Sequence, residues 1–181
     1  MPLGNTLPFG LRDVKLFAVD ATGTRTGAGV DLPVSRTFSF KETTSSEQLV
    51  GDDIIQGSHE YNSIVEWELE AGGYSLEAYA IFSGGIVTST GTTPAQVKKL
   101  SKKNTDARPY FEVEGQAISD SGGDMHAIVY RCKCDGDLDG KFENGNFAMT
   151  KCSGKGYGRL SDGLLYDFIQ NETTTPIVVG P

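Results

Sequence analysis

The chain predicts an all-β fold carrying one short helix, and three observations lead there. Glycine supplies 23 of 181 residues and Ser and Thr are abundant, while long amphipathic runs are scarce. The segment SIVEWELEA (63–71) has the clearest alternation in the chain: Val65, Trp67 and Leu69 on one side, Glu66, Glu68 and Glu70 on the other. Only GGYSLEAYAIFSGG (72–85) has helical spacing, with Leu76, Tyr79 and Ala80 on one face, Glu77 in the first turn and paired glycines at both ends. At this length one domain can bury a sizeable core, for which Val65, Trp67, Leu69, Leu76 and Tyr79 are candidates.

Taken in order, RDVKLFAVD (12–20) reads as a strand, with Val14, Leu16 and Ala18 alternating with Asp13, Lys15 and Phe17. ATGTRTGAGVDLP is a turn-rich connection, and VSRTFSFKE (34–42) is a second strand with Phe38 and Phe40 on one face. Residues 43–62 read as a long polar loop, too long for a hairpin turn and without a regular pattern. Its centre, LVGDDII, places Leu49, Val50, Ile54 and Ile55 around Gly51, Asp52 and Asp53, so the loop is expected to dock on something. A helix as short as that at 72–85 needs packing against a sheet.

AQVKKLSKKNTDAR gathers Lys98, Lys99, Lys102, Lys103 and Arg108, which fit either a solvated turn or an electrostatic partner for an acidic neighbour. YFEVEGQAISD and MHAIVYRCKC read as strands joined by the turn DSGGD, and FAMTKCSGKGYGRL and GLLYDFIQNE supply the last ones. TTTPIVVGP is expected to be an apolar, unanchored arm.

The net charge of −8 argues against a general nucleic-acid-gripping surface, without excluding one that DNA passes unheld. From Glu42 to Val97 there is no Lys or Arg and there are nine acids, where an ordinary surface intersperses both signs. The amino terminus lacks the basic head and apolar run of a signal peptide, and no apolar stretch approaches the ~20 residues of a membrane span. Cys132, Cys134 and Cys152 offer three soft ligands without an obvious fourth; reduced, packing cysteines suit them better than zinc or a secreted disulfide framework.

CDGDLDGKFENGNF (134–147) opens like a calcium loop at Asp135, Asp137 and Asp139. Its twelfth position, however, is Asn146 rather than a bidentate Glu, and Asn144-Gly145 signals a hairpin turn, so a polar hairpin tip is the better account. No nucleophile elbow, phosphate loop, dinucleotide fingerprint or metalloprotease helix occurs, and the only histidines are His59 and His126, so no enzyme and no cofactor are expected. Carboxylates about 7 Å apart along one strand recur in any alternating strand and specify no glycosidase.

The order of these signatures, with LVGDD leading to IVEWELE, GGYSLEAYAIFSGG, YFEVEGQAISDSGGDMHAIVYRCKC and GKFENGNFAMTKCSGKG, resembles the major tail tube proteins of long-tailed bacteriophages, particularly those infecting actinobacteria. The likeness covers roughly residues 10–170. It implies a β-sandwich or barrel with one flanking helix, six copies to a ring, and stacked rings forming a conduit for genome ejection. It also implies an N-terminal arm (1–11), a tail tube domain (12–170) whose residues 43–62 reach the adjacent ring, and a C-terminal arm (171–181). Further implied are a virion location after assembly in host cytoplasm, and partners comprising further copies, a tape measure protein, terminator or adaptor proteins and DNA in transit. Glu66, Glu68 and Glu70 become candidate lumen residues, though alternation alone fits an outer surface equally. The alternative is a monomeric extracellular β-sandwich module binding calcium or a cell-wall ligand.

Overall fold

The computed structural model describes residues 6–178. They form ten strands and one helix: β1 (Pro8–Ala18), β2 (Val30–Asp31), β3 (Ser35–Gly51), β4 (Ile54–Gly72), α1 (Leu76–Ser83), β5 (Ile86–Thr90), β6 (Val97–Ser101), β7 (Phe111–Ser119), β8 (Asp124–Cys134), β9 (Met149–Gly156) and β10 (Tyr166–Asn171). The protein is therefore all-β with one short helix. Its main sheet is antiparallel throughout and runs β2-β1-β7-β8-β9-β4-β3, with β10 pairing the first half of β8 beside β9. The separate pair β5-β6 packs on α1.

The main sheet rolls up until β3 lies against β1 and β7. Phe38 of β3 crosses over Gly115 of β7 so closely that a Cβ there would sit 2.5 Å from the ring, so glycine is what lets the roll close. Inside are Val14 and Leu16 of β1, Val65, Trp67, Leu69 and Ala71 of β4, Phe111 and Val113 of β7, Val129, Cys132 and Cys134 of β8, and Cys152 of β9. All three cysteines are free thiols in this core. Trp67 meets Phe111 edge-on at 5.4 Å, and Phe82 of α1 meets the same ring at 5.4 Å.

Ser75 caps α1, its hydroxyl accepting from the Ala78 N–H at 3.2 Å. Gly84 ends the helix in the left-handed region (φ 81°) and passes Ala107 too closely to admit any side chain. The helix buries Ala78 and Phe82, while Leu76 and Tyr79 are only half-buried. The face nominated from spacing is thus rotated from the one that packs, because Tyr79 turns its hydroxyl outward to the Asp139 carbonyl at 2.7 Å.

Two expectations about connections are corrected. Lys98 and Lys99 lie in β6 rather than in a turn. The C-terminal segment is anchored: after β10 it crosses the outside of the sheet, and Ile177 is buried. The rest of the two arms, residues 1–5 and 179–181, lies outside the described residues.

Candidate functional site

Residues 43–62 are not an irregular loop. β3 and β4 continue as a two-stranded hairpin beyond the point where β9 stops pairing, at Val65. Nine β3 residues past that point, at about 3.3 Å each, give an arm of roughly 30 Å. A two-residue turn at Asp52-Asp53, both with positive φ (52° and 64°), closes it between Gly51 and Ile54 in the conformation that matches strand twist. Where the arm leaves the body the register slips between Thr43/Ile64 and Ser45/Tyr61, Asn62 takes φ 54°, and the Thr44 and Ser63 hydroxyls bridge the slip at 3.0 Å.

Every residue from Lys41 to Ser63 except Gly51 is exposed. At the tip Leu49, Val50, Ile54 and Ile55 are 70%, 62%, 62% and 59% exposed. The aliphatics expected to dock therefore dock on nothing among the described residues. Two-stranded hairpins with both faces in water are marginal alone, and this one gains side-chain support only from small contacts such as the His59–Tyr61 stack at 6.5 Å.

The glutamate stripe lies on the outside of the roll, with Glu66 and Glu68 exposed and Glu70 half-buried, while Val65, Trp67 and Leu69 face inward. Its neighbours are cations brought from distant sequence. Glu66 stands in register between Lys41 of β3 and Lys155 of β9, with Lys133 of β8 next in the row. Glu70 stands beside Lys151, which bonds it at 3.1 Å, and Arg36 reaches it at 3.5 Å. The lysine-free stretch from Glu42 to Val97 therefore does not produce a purely acidic face, because sheet pairing interleaves the carboxylates with lysines. A shallow depression lined by Lys41, Glu66, Glu68, Asp135, Ser153 and Lys155 crosses this face.

The basic cluster is largely spent inside the chain. Lys98 pairs with Glu77 of α1. The Lys102 ammonium donates to the carbonyls of Ser83 and Asp106, so it sits at the negative end of α1. Arg108 donates to the carbonyls of Cys134 at 3.0 Å and Gly136 at 2.8 Å. Lys99 and Lys103 are exposed.

Residues 135–148 form a long excursion between β8 and β9, turning at Glu143–Asn146 and carrying Phe142 and Phe147, 87% and 95% exposed. Among the described residues, no group of three or more His, Cys, Asp or Glu side chains is arranged to hold a metal.

Sequence reading missed a buried ionic layer on the outer face of β7 and β8. Glu112, Glu114 and Gln116 of β7 and Asp124 and His126 of β8 are all buried. The guanidinium of Arg25, from the turn-rich connection before β2, bonds Glu112 and Glu114 (2.9 Å to Glu114) and lies 3.7 Å over the Phe17 ring. Burial is the largest influence on Glu112 and leaves its pKa raised, although Arg25 opposes this. The available signal was FEVEGQ, whose polar positions alternate in a strand pairing on both sides.

No protein-family model matches the chain, and no curated protein is significantly similar to it.

Proposed function

We propose that this protein is a structural subunit that assembles with identical copies, as hexameric rings stacked into a phage-type tail tube that conducts the genome, and that it catalyses nothing. The observation that supports this most is the hairpin arm. A chain that orders some twenty residues in water, at ~1–2 kcal/mol of backbone entropy each, and crowns them with four exposed aliphatics gains from the arm only when something covers it. A stacked neighbour of the same chain would do so. The charged outer face of β3, β4 and β9 would then line the bore. Its carboxylates keep Lys41, Lys151 and Lys155 from presenting phosphates with a net positive wall, so DNA meets no strong hold.

Electron microscopy and sedimentation of the purified protein at high concentration test the reading: rings or hollow tubes are expected, and a monodisperse monomer at every concentration would end it. For the bore, replacing Glu66, Glu68 and Glu70 together by Lys is expected to create salt-sensitive binding to duplex DNA that the parent lacks. Released counterions make the logarithm of its affinity fall linearly with the logarithm of salt concentration. Equal DNA retention by parent and variant would remove the electrostatic part of the proposal.

A further inference from the structure

After β10 the chain runs as a strap, residues 172–178, over the buried ionic layer. Thr175 is its fastening point. Its N–H donates to Asp124 Oδ2 at 2.8 Å, and its carbonyl accepts from Gln116 at 3.0 Å and from His126 Nε2 at 2.9 Å. Asn171 donates to the other Asp124 oxygen at 2.8 Å, and Ile177 is buried beyond.

His126 is the titratable donor in this fastening. Its Nδ1 faces Glu114 at 3.0 Å, and its Nε2 faces both Asp124 at 3.2 Å and the Thr175 carbonyl. With the two carboxyl groups ionised every partner is an acceptor, and an imidazolium, donating from both ring nitrogens, satisfies them all. The surroundings favour that charge. Glu114 faces the ring from β7 and is shared with Arg25, which also holds Glu112, and Asp124 faces it from β8. Asp13 and Lys15 of β1 lie in register with Gln116 and Glu114, and Lys15 is paired with Asp13 and Asp31. β10 contributes uncharged Ile169 opposite His126.

We propose that residues 172–178 form a pH-sensitive latch: doubly protonated His126 holds the strap closed through a charge-assisted bond from Nε2 to the Thr175 carbonyl, and loss of one ring proton removes that charge, leaves the other nitrogen turned as an acceptor toward an acceptor, and loosens the strap. Burial works against the imidazolium, but the bonds to Glu114 and Asp124 outweigh it and raise the His126 pKa. A raised folded value means that this stabilisation is complete below the ordinary histidine pKa of about 6.5 and disappears as pH rises through the higher folded value. Burial likewise works against the charge of Asp124, yet the Thr175, Gln116 and Asn171 donors lower its pKa. Its contribution is therefore present above the ordinary aspartate value and lost as pH falls through the lower folded one. The latch is closed in mildly acidic to neutral solution and opens on alkalinisation.

Hydrogen exchange of the C-terminal peptide, corrected for intrinsic rates, reads the latch directly. Protection is expected to hold steady from about pH 5 to 6.5 and then fall, roughly tenfold for each unit by which docking raises His126. In H126Q the profile should be flat. Should that variant not fold, T175P removes the N–H given to Asp124, and the His126 ring resonances should then titrate nearer the ordinary histidine value. Flat protection in the parent, the same fall in H126Q, or an unmoved His126 titration in T175P would overturn the proposal.

Discussion

Replacing Leu49, Ile54 and Ile55 together by Ser should leave a folded subunit with an unchanged melting temperature that no longer stacks. The three side chains are 70%, 62% and 59% exposed in the isolated chain, so their loss should alter folding stability by no more than about 0.5 kcal/mol. Full burial against a neighbour would be worth about 1.5–3 kcal/mol for each. The triple variant should therefore forfeit on the order of 5 kcal/mol per tip, a factor of several thousand in association. Because the arm projects from the body, stacking should suffer far more than ring formation. Sedimentation and microscopy would read stacking and ring formation, and thermal melting the folding of the subunit. Stacks that persist would mean that the tip touches no neighbour, and loss of folding would mean that the arm supports the body in a way its exposure does not show.

Arg25→Ala should be the most damaging single change to the isolated chain outside the apolar core. Glu112 is 2% exposed and Glu114 7%, and Arg25 is the cation bonded to both. Removing one partner of a buried pair leaves an uncompensated charge, at about 3–5 kcal/mol. The low end, roughly 3 kcal/mol, is expected because the Arg25 side chain is itself 37% exposed and water can follow its departure. The penalty should depend on pH. With its pKa already raised, Glu112 adds stability below the ordinary glutamate value that disappears as pH rises through its folded value. Without Arg25 that carboxyl accepts a proton still more readily, so the gap between variant and parent should narrow below about pH 5. Denaturant melts at pH 4.5 and 7.5 would check this; a constant gap would show that the guanidinium matters through its stacking on Phe17 instead.

Elements whose two faces differ in environment were legible in the sequence. β4 beside the core, with Val65, Trp67 and Leu69 inward and three glutamates outward, shows its period because water lies on one side only. The β7-β8 turn is announced by Gly122 and Gly123, both at positive φ. The arm was illegible for the complementary reason: with water on both faces, no alternation is selected, and twenty paired residues look like a loop. Its turn was hidden too, since Asp52-Asp53 adopts the conformation that Asn-Gly usually signals. Charge read along the chain failed across it. Lys151 and Lys155 lie more than eighty residues from the glutamates they flank, and only strand pairing makes them neighbours. The ionic layer escaped notice for another reason: the polar positions Glu112, Glu114 and His126 are buried only because the strap and the β1-β2 connection, distant in sequence, cover them.

Trp67 is the sole indole of the chain; it is 3% exposed, and among the described residues its Nε1 finds no hydrogen-bond partner. Its fluorescence should therefore answer to the interior alone, staying blue and steady if the distal hairpins of separate copies meet and red-shifting once the rolled sheet opens to water. One cuvette thus distinguishes polymerisation from denaturation without any label.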